Sequence, residues 1–189
     1  MLIKYIIFAY IFLNIYFPNA ALTKEIWLLD KKLSTINFEL PIFLVKNIHG
    51  KFNNINGLIE LDFNKKKNKA IFSVNIDSIE INYKNYKDIL LSNIFFHKKK
   101  FPIALIDTKQ FTYKNEKELS LIVDLTIKDI TKKIPLEIEI IHLAEKIVQV
   151  KGKFIISRTD FKLGKGKWSS TKILKNNVSV KLNLFLFRN

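Results

Sequence analysis

Residues 119–128, LSLIVDLTIK, and 134–141, IPLEIEII, decide the fold. In the first, Leu119, Leu121, Val123, Leu125 and Ile127 alternate with Ser120, Ile122, Asp124, Thr126 and Lys128. In the second, Ile134, Leu136, Ile138 and Ile140 alternate with Pro135, Glu137, Glu139 and Ile141. Successive side chains of a strand point to opposite faces, so a period of 2 gives each run one dry and one wet face. The same period governs Thr35–Leu40, with apolar residues at even positions, and recurs in Val148, Val150, Gly152, Phe154 and Ile156. Val178, Val180, Leu182, Leu184 and Leu186 close the chain in the same way.

Polar, hairpin-length segments separate these runs. Asn53-Asn54 and Asn56-Gly57 follow Phe52, residues 64–68 (NKKKN) lie between Phe63 and Phe72, and residues 114–117 (KNEK) precede Leu119. One segment departs from alternation: residues 83–93, YKNYKDILLSN, carry Tyr86, Ile89 and Leu90 at helical spacing and predict a short helix. Residues 158–170, RTDFKLGKGKWSS, hold two of the five glycines and read as a non-strand connection. About eight or nine short consecutive strands favour an all-β antiparallel sheet, which closes into a barrel because closure removes exposed edges. No internal repeat or second domain is visible, and 189 residues suit one domain.

The chain has no cysteine, which excludes disulfides, thiolate metal sites, cysteine nucleophiles and a lipidated N-terminal cysteine. The formal net charge is +15, from 32 basic and 17 acidic residues. Such a balance suits a negatively charged partner, either nucleic acid or an anionic membrane surface. Only Arg158 and Arg188 are arginine, whereas base-reading nucleic-acid interfaces favour arginine for its bidentate geometry. With lysine, asparagine, isoleucine and phenylalanine abundant and glycine scarce, the charge reads as compositional drift, and no nucleic-acid partner is expected. Contact with an anionic membrane surface stays open.

Residues 1–21, MLIKYIIFAYIFLNIYFPNAA, place Lys4 ahead of a short apolar run and end in small residues. This is the pattern of a secretory signal peptide, and the run is shorter than the ~20 apolar residues of a membrane-spanning helix. Cleavage is expected after Ala20 or Ala21, leaving residues 22–189 as a single exported, periplasmic domain; Pro18 and Asn19 suit the site poorly, and an uncleaved anchor is the alternative. The segment carries one lysine and no acid, so the basic character belongs to the remainder.

No catalytic constellation is apparent. His49, His97 and His142 lack partners at metal-ligand spacing, and no nucleophile elbow or phosphate loop occurs. Gly164-Lys165-Gly166-Lys167-Trp168 reads as a turn between strands, and Glu137 with Glu139 as the solvated side of a strand. No enzyme activity, metal or cofactor is expected.

Five stretches in order resemble the YceI-like family of exported lipid-binding proteins. They are Trp27-Leu28-Leu29-Asp30 with Ser34–Phe38; Ile48–Phe52 with Gly57-Leu58-Ile59; Ile76–Ile79 followed by Lys87-Asp88, Leu91, Phe95-Phe96 and Phe101-Pro102; Leu125–Lys132; and Phe154–Phe161 with Leu163-Gly164. The chain departs from the family pattern at Val123, Asp129 and Lys162, where glycine is common. The resemblance implies a lipocalin-like, eight-stranded extended barrel in the periplasm. It also implies a polyisoprenoid or isoprenoid quinone held inside, with no catalytic residues. Candidate lining residues on the dry face are Phe38, Phe72, Val74, Leu121, Val123, Leu125, Ile138, Ile140, Val180, Leu182 and Leu184. Arg158, or lysines near the mouth, are candidates for meeting a phosphate or quinone head; for Arg158 the competing reading is an ion pair with Asp160. Alternation alone leaves open an outer-membrane barrel dry on its outside, and a lipocalin-fold enzyme acting on a lipid is a further alternative.

Overall fold

The computed structural model describes residues 24–42, 47–62, 67–114 and 116–188; the predicted signal segment lies outside them. Eleven strands are present: β1 (Lys24–Leu29), β2 (Thr35–Leu40), β3 (Ile48–Phe52), β4 (Ile55–Asp62), β5 (Lys69–Asn75), β6 (Ile79–Ile81), β7 (Ile103–Asp107), β8 (Glu118–Ile127), β9 (Ile130–Ala144), β10 (Ile147–Ser157) and β11 (Asn177–Phe187). One α-helix, α1 (Lys87–Leu91), lies between β6 and β7. All pairings are antiparallel, and β1 meets β11 through Leu28↔Phe187 and Leu29↔Leu186, closing the sheet on itself.

The eleven strands make eight walls, because three walls are each interrupted once. β1 and β2 both lie along β11, β3 and β4 lie along them in turn, and β6 and β5 pair with β3 and β4. The break between β1 and β2 is built by Asp30, whose Oδ1 accepts from the backbone N–H of Lys32 (2.8 Å) and Leu33 (3.1 Å). Ser34, 1% exposed, uses its Oγ to accept from the Phe185 N–H at 2.9 Å, replacing a ladder bond that the bulge removes. The break between β5 and β6 is a 3-10 turn at Ile76–Ser78, capped by Asn75.

Asn53-Asn54 does not reverse the chain as expected: β3 runs on into β4 as one bent wall, and Asn56 and Gly57 lie inside β4. The reason for Gly57 is packing. It pairs with Phe72 on the inner face, and a Cβ there would sit 2.1 Å from the Phe72 ring. Phe38 lies over Gly50 in the same way. Each ring fills the notch of a cross-strand glycine. The rings are thereby held against the wall, which leaves the barrel axis free. The predicted helix is also shorter than expected: a 3-10 turn at Lys84–Tyr86 leads into α1, and the Ser92 hydroxyl, donating to the Ile89 carbonyl at 2.7 Å, marks its end.

The hairpin joining β8 to β9 consists of Lys128 and Asp129 alone, with φ of 52° and 62°. Two-residue hairpins with positive φ at both positions favour Asn-Gly or Asp-Gly, so Asp129 holds a place better suited to glycine. Asp129→Gly is expected to raise unfolding stability by ~0.5–1 kcal/mol, read from the urea midpoint at unchanged m-value. A lower midpoint would mean the Asp129 side chain contributes more than its backbone strain costs.

Alternation places its dry side inward. Val148, Val150, Phe154 and Ile156 of β10 and the even-numbered residues of β11 from Val178 to Leu186 are buried. Gln149, Lys151 and Lys153 of β10, and Ser179, Lys181 and Asn183 of β11, point out. An outer-membrane barrel needs a continuous apolar band outside, and these polar outer positions interrupt any such band.

Candidate functional site

The barrel interior holds two chambers along its axis. The upper one, about 250 Å³, is walled by Trp27, Ile59, Phe72, Leu121, Leu136, Ile138, Ile140, Val150, Leu182 and Leu184, among others. The lower one, about 100 Å³, is walled by Phe38, Phe52, Val74, Ala104, Leu125, Phe154, Val178 and Val180. Ile36 of β2 and Ile106 of β7 border both, and so stand at the boundary between them.

Of the residues expected from sequence to line the interior, Phe72, Leu121, Ile138, Ile140, Leu182 and Leu184 border the upper chamber. Phe38, Val74, Leu125 and Val180 border the lower. Val123 points inward but is packed in the wall at 2% exposure and borders neither.

The lower chamber has a floor. Leu90 of α1, Phe95 and Phe96 close it, with Phe96 meeting Phe52 edge-on at 6.1 Å between ring centroids. Trp168 braces Phe95 from behind at 6.0 Å, and Tyr86 at 6.2 Å. Arg158 lies here, at the closed end, 1% exposed. Its guanidinium donates to the carbonyls of Leu163 (2.8 Å), Ser169 (3.4 Å), Ser170 (3.1 Å), Leu174 (2.9 Å) and Lys175 (3.0 Å). This corrects both expectations for Arg158. Its five contacts are all to backbone carbonyls, so it holds the connection between β10 and β11 rather than a ligand head, and no ion pair joins it to Asp160. Burial presses its pKa below the usual arginine value. Beside it, Lys128 donates to the Lys162 carbonyl at 2.9 Å, and burial, reinforced by the nearby Lys165, lowers its pKa.

The upper chamber opens to solvent through a polar rim that sequence reasoning did not single out: Glu25, Thr108, Tyr113, His142, Glu145 and Arg188. Arg188, one residue past β11, is ion-paired to Glu25 of β1. Its guanidinium carbon lies 5.4 Å from the Trp27 ring centroid, and Trp27 Nε1 donates to Glu25 Oε2 at 3.2 Å. Burial, with the charge of Glu116 adding to it, raises the pKa of the Tyr113 phenol. Parity was the available signal: Glu25 shares its face with Trp27 and Leu29, and Arg188 with Leu184 and Leu186. Among the described residues no group of three or more metal-ligating side chains comes together.

The architecture is thus that of an antiparallel barrel with an apolar interior, one polar mouth and a closed base. The chain belongs to the YceI-like domain family, whose model matches residues 27–186. Solved structures share the fold. BcnA of Burkholderia cenocepacia superposes with a TM-score of 0.74 at 20% identity, over 83% of this chain and 98% of that one. A polyisoprenoid-binding domain from Saccharophagus degradans gives 0.72 at 13% identity, over 86% and 98%. The YCEI protein of Campylobacter jejuni gives 0.65 at 21% identity, over 79% and 89%. A search of curated proteins gave no match.

Proposed function

We propose that this chain is an exported, periplasmic carrier that holds a long apolar chain of isoprenoid type, a polyprenyl lipid or quinone, inside its barrel. The observation that carries this reading is the pair of chambers on one axis, lined by apolar side chains and open at one polar mouth. A prenyl chain entering them sheds water at ~0.8 kcal/mol per buried CH₂. The Saccharophagus degradans neighbour, described as a polyisoprenoid-binding domain, supports the ligand class. The reading assigns binding and release, and no catalytic residue. Export rests on residues 1–21 and on the family resemblance.

Exchange with a bilayer suits the outer wall beside the mouth. Ile147, Phe187, Leu28, Leu58 and Ile71 stand in register across five strands as an outward apolar row. Lys31 and Lys69 border it, and the acid beside them, Glu60, is ion-paired to Lys24, so the patch suits transient contact with an anionic surface. One preparation tests the whole reading. Protein recovered from the exported fraction should have lost residues 1–20 or 1–21 by intact mass, should release a prenyl lipid on organic extraction, and should sediment with anionic vesicles at low salt. Apo protein that also fails to bind prenyl chains in solution would end the carrier reading.

A further inference from the structure

The head group of the ligand is the chemistry that the barrel walls leave undefined. Of the 32 basic residues, all but Arg158 and Arg188 are lysine. Among the described residues, no lysine borders either chamber. Arg158 is committed to backbone carbonyls at the closed end. Among the described residues that line the mouth, Arg188 is then the arginine or lysine present, alongside two carboxylates, Glu25 and Glu145. It is already ion-paired with Glu25 and stacked near Trp27. The rim also carries the Tyr113 phenol and the His142 imidazole, while the Thr108 hydroxyl is engaged by the backbone of Ala70 and Lys109.

We infer that this mouth selects an uncharged, oxygen-bearing head group, such as an alcohol, phenol or quinone, over a phosphate, and that the Glu25–Arg188 pair sets the preference. The inference rests on the carrier reading above. A phosphate would place its charge beside two carboxylates, with one guanidinium whose charge Glu25 already offsets. Phosphate recognition elsewhere uses several unspent donors, from arginine forks or backbone N–H groups. An uncharged oxygen accepts a hydrogen bond from the His142 ring or from an Arg188 N–H not spent on Glu25 and meets no such repulsion.

The probes are geranylgeraniol and geranylgeranyl diphosphate, which share one chain and differ in the head. Binding is read from Trp27, which lies at the mouth, by tryptophan fluorescence. The alcohol is expected to bind at least tenfold tighter than the diphosphate. Glu25→Gln keeps an acceptor for Trp27 Nε1 while freeing the Arg188 charge. It should raise diphosphate affinity about tenfold and leave alcohol affinity within threefold, with thermal unfolding run on each variant to confirm the fold. A diphosphate that binds as tightly as the alcohol would overturn the inference and leave the carrier reading intact. So would a Glu25→Gln variant, folded by its melt, that leaves the ratio of the two affinities unchanged. Failure of both probes to bind would overturn the carrier reading and the inference together.

Discussion

Arg158→Ala is expected to lower unfolding stability by ~3–5 kcal/mol, because it strips five carbonyls, those of buried Leu163 and Leu174 among them, of their donor in one step. The residues it serves, Leu163, Ser169, Ser170, Leu174 and Lys175, span the irregular connection between β10 and β11. Leu163 and Leu174 are themselves core residues, 5% and 2% exposed, so water cannot take over at their carbonyls without opening the base of the barrel. Arg158→Lys keeps the charge but offers a compact ammonium in place of a planar fork. It should recover less than half of the loss. The measurement is the urea-unfolding midpoint of both variants against the parent. A loss below ~1 kcal/mol for the alanine variant would show that the connection holds itself and that the guanidinium is incidental. The effect should appear first in stability, because the contacts Arg158 makes all serve the backbone of this connection.

The barrel was legible because its physics is periodic. The inner face of β8, Leu119 to Ile127, and that of β11, Val178 to Leu186, follow from parity alone. Which side faced water did not follow, since a period of 2 is the same for a barrel dry inside or outside. Turn chemistry misled at Asn56-Gly57, where the glycine answers to the Phe72 ring packed against it rather than to a reversal of the chain. Such a pairing depends on a neighbour in the next wall and leaves no local trace. The eight walls were similarly disguised as eleven strands, because Asp30 and Ser34 build a bulge whose purpose is visible only against Phe185, 151 residues beyond Ser34.

The site divides along the same line. Ten of the eleven lining positions named from sequence border a chamber, because inward parity is enough to put an apolar side chain there. Arg158 was misassigned because arginine in a loop carries no local sign of whether its partners are carboxylates, carbonyls or a ligand. The Glu25–Arg188 pair links residues 163 apart in sequence, at opposite ends of the domain, and depends on closure of β1 against β11. Their parity was readable, but their meeting required the barrel.

Closure also sets how deep a ligand can run, and this is where the largest binding effect is expected. Ile106 of β7, 6% exposed, borders both chambers and faces Phe72 and Leu125 across its two ladders. A tryptophan there would thicken the boundary that Ile106 and Ile36 form between the chambers. Overpacking of this kind costs ~1–3 kcal/mol, which a folded barrel can sustain, so the variant remains measurable. Two carbons denied the lower chamber forfeit ~1.6 kcal/mol, more than tenfold in affinity. A two-unit prenyl chain, short enough to stay in the upper chamber, loses nothing. Ile106→Trp should therefore bind geraniol within threefold of the parent and an eight-unit prenyl chain at least tenfold more weakly. Titration of both chains into parent and variant, with thermal melts alongside, decides the matter. Equal losses for the two chains would mean the variant had deformed the upper chamber. No loss for either would mean that ligands stop above Ile106 and that the lower chamber is simply imperfect packing over α1.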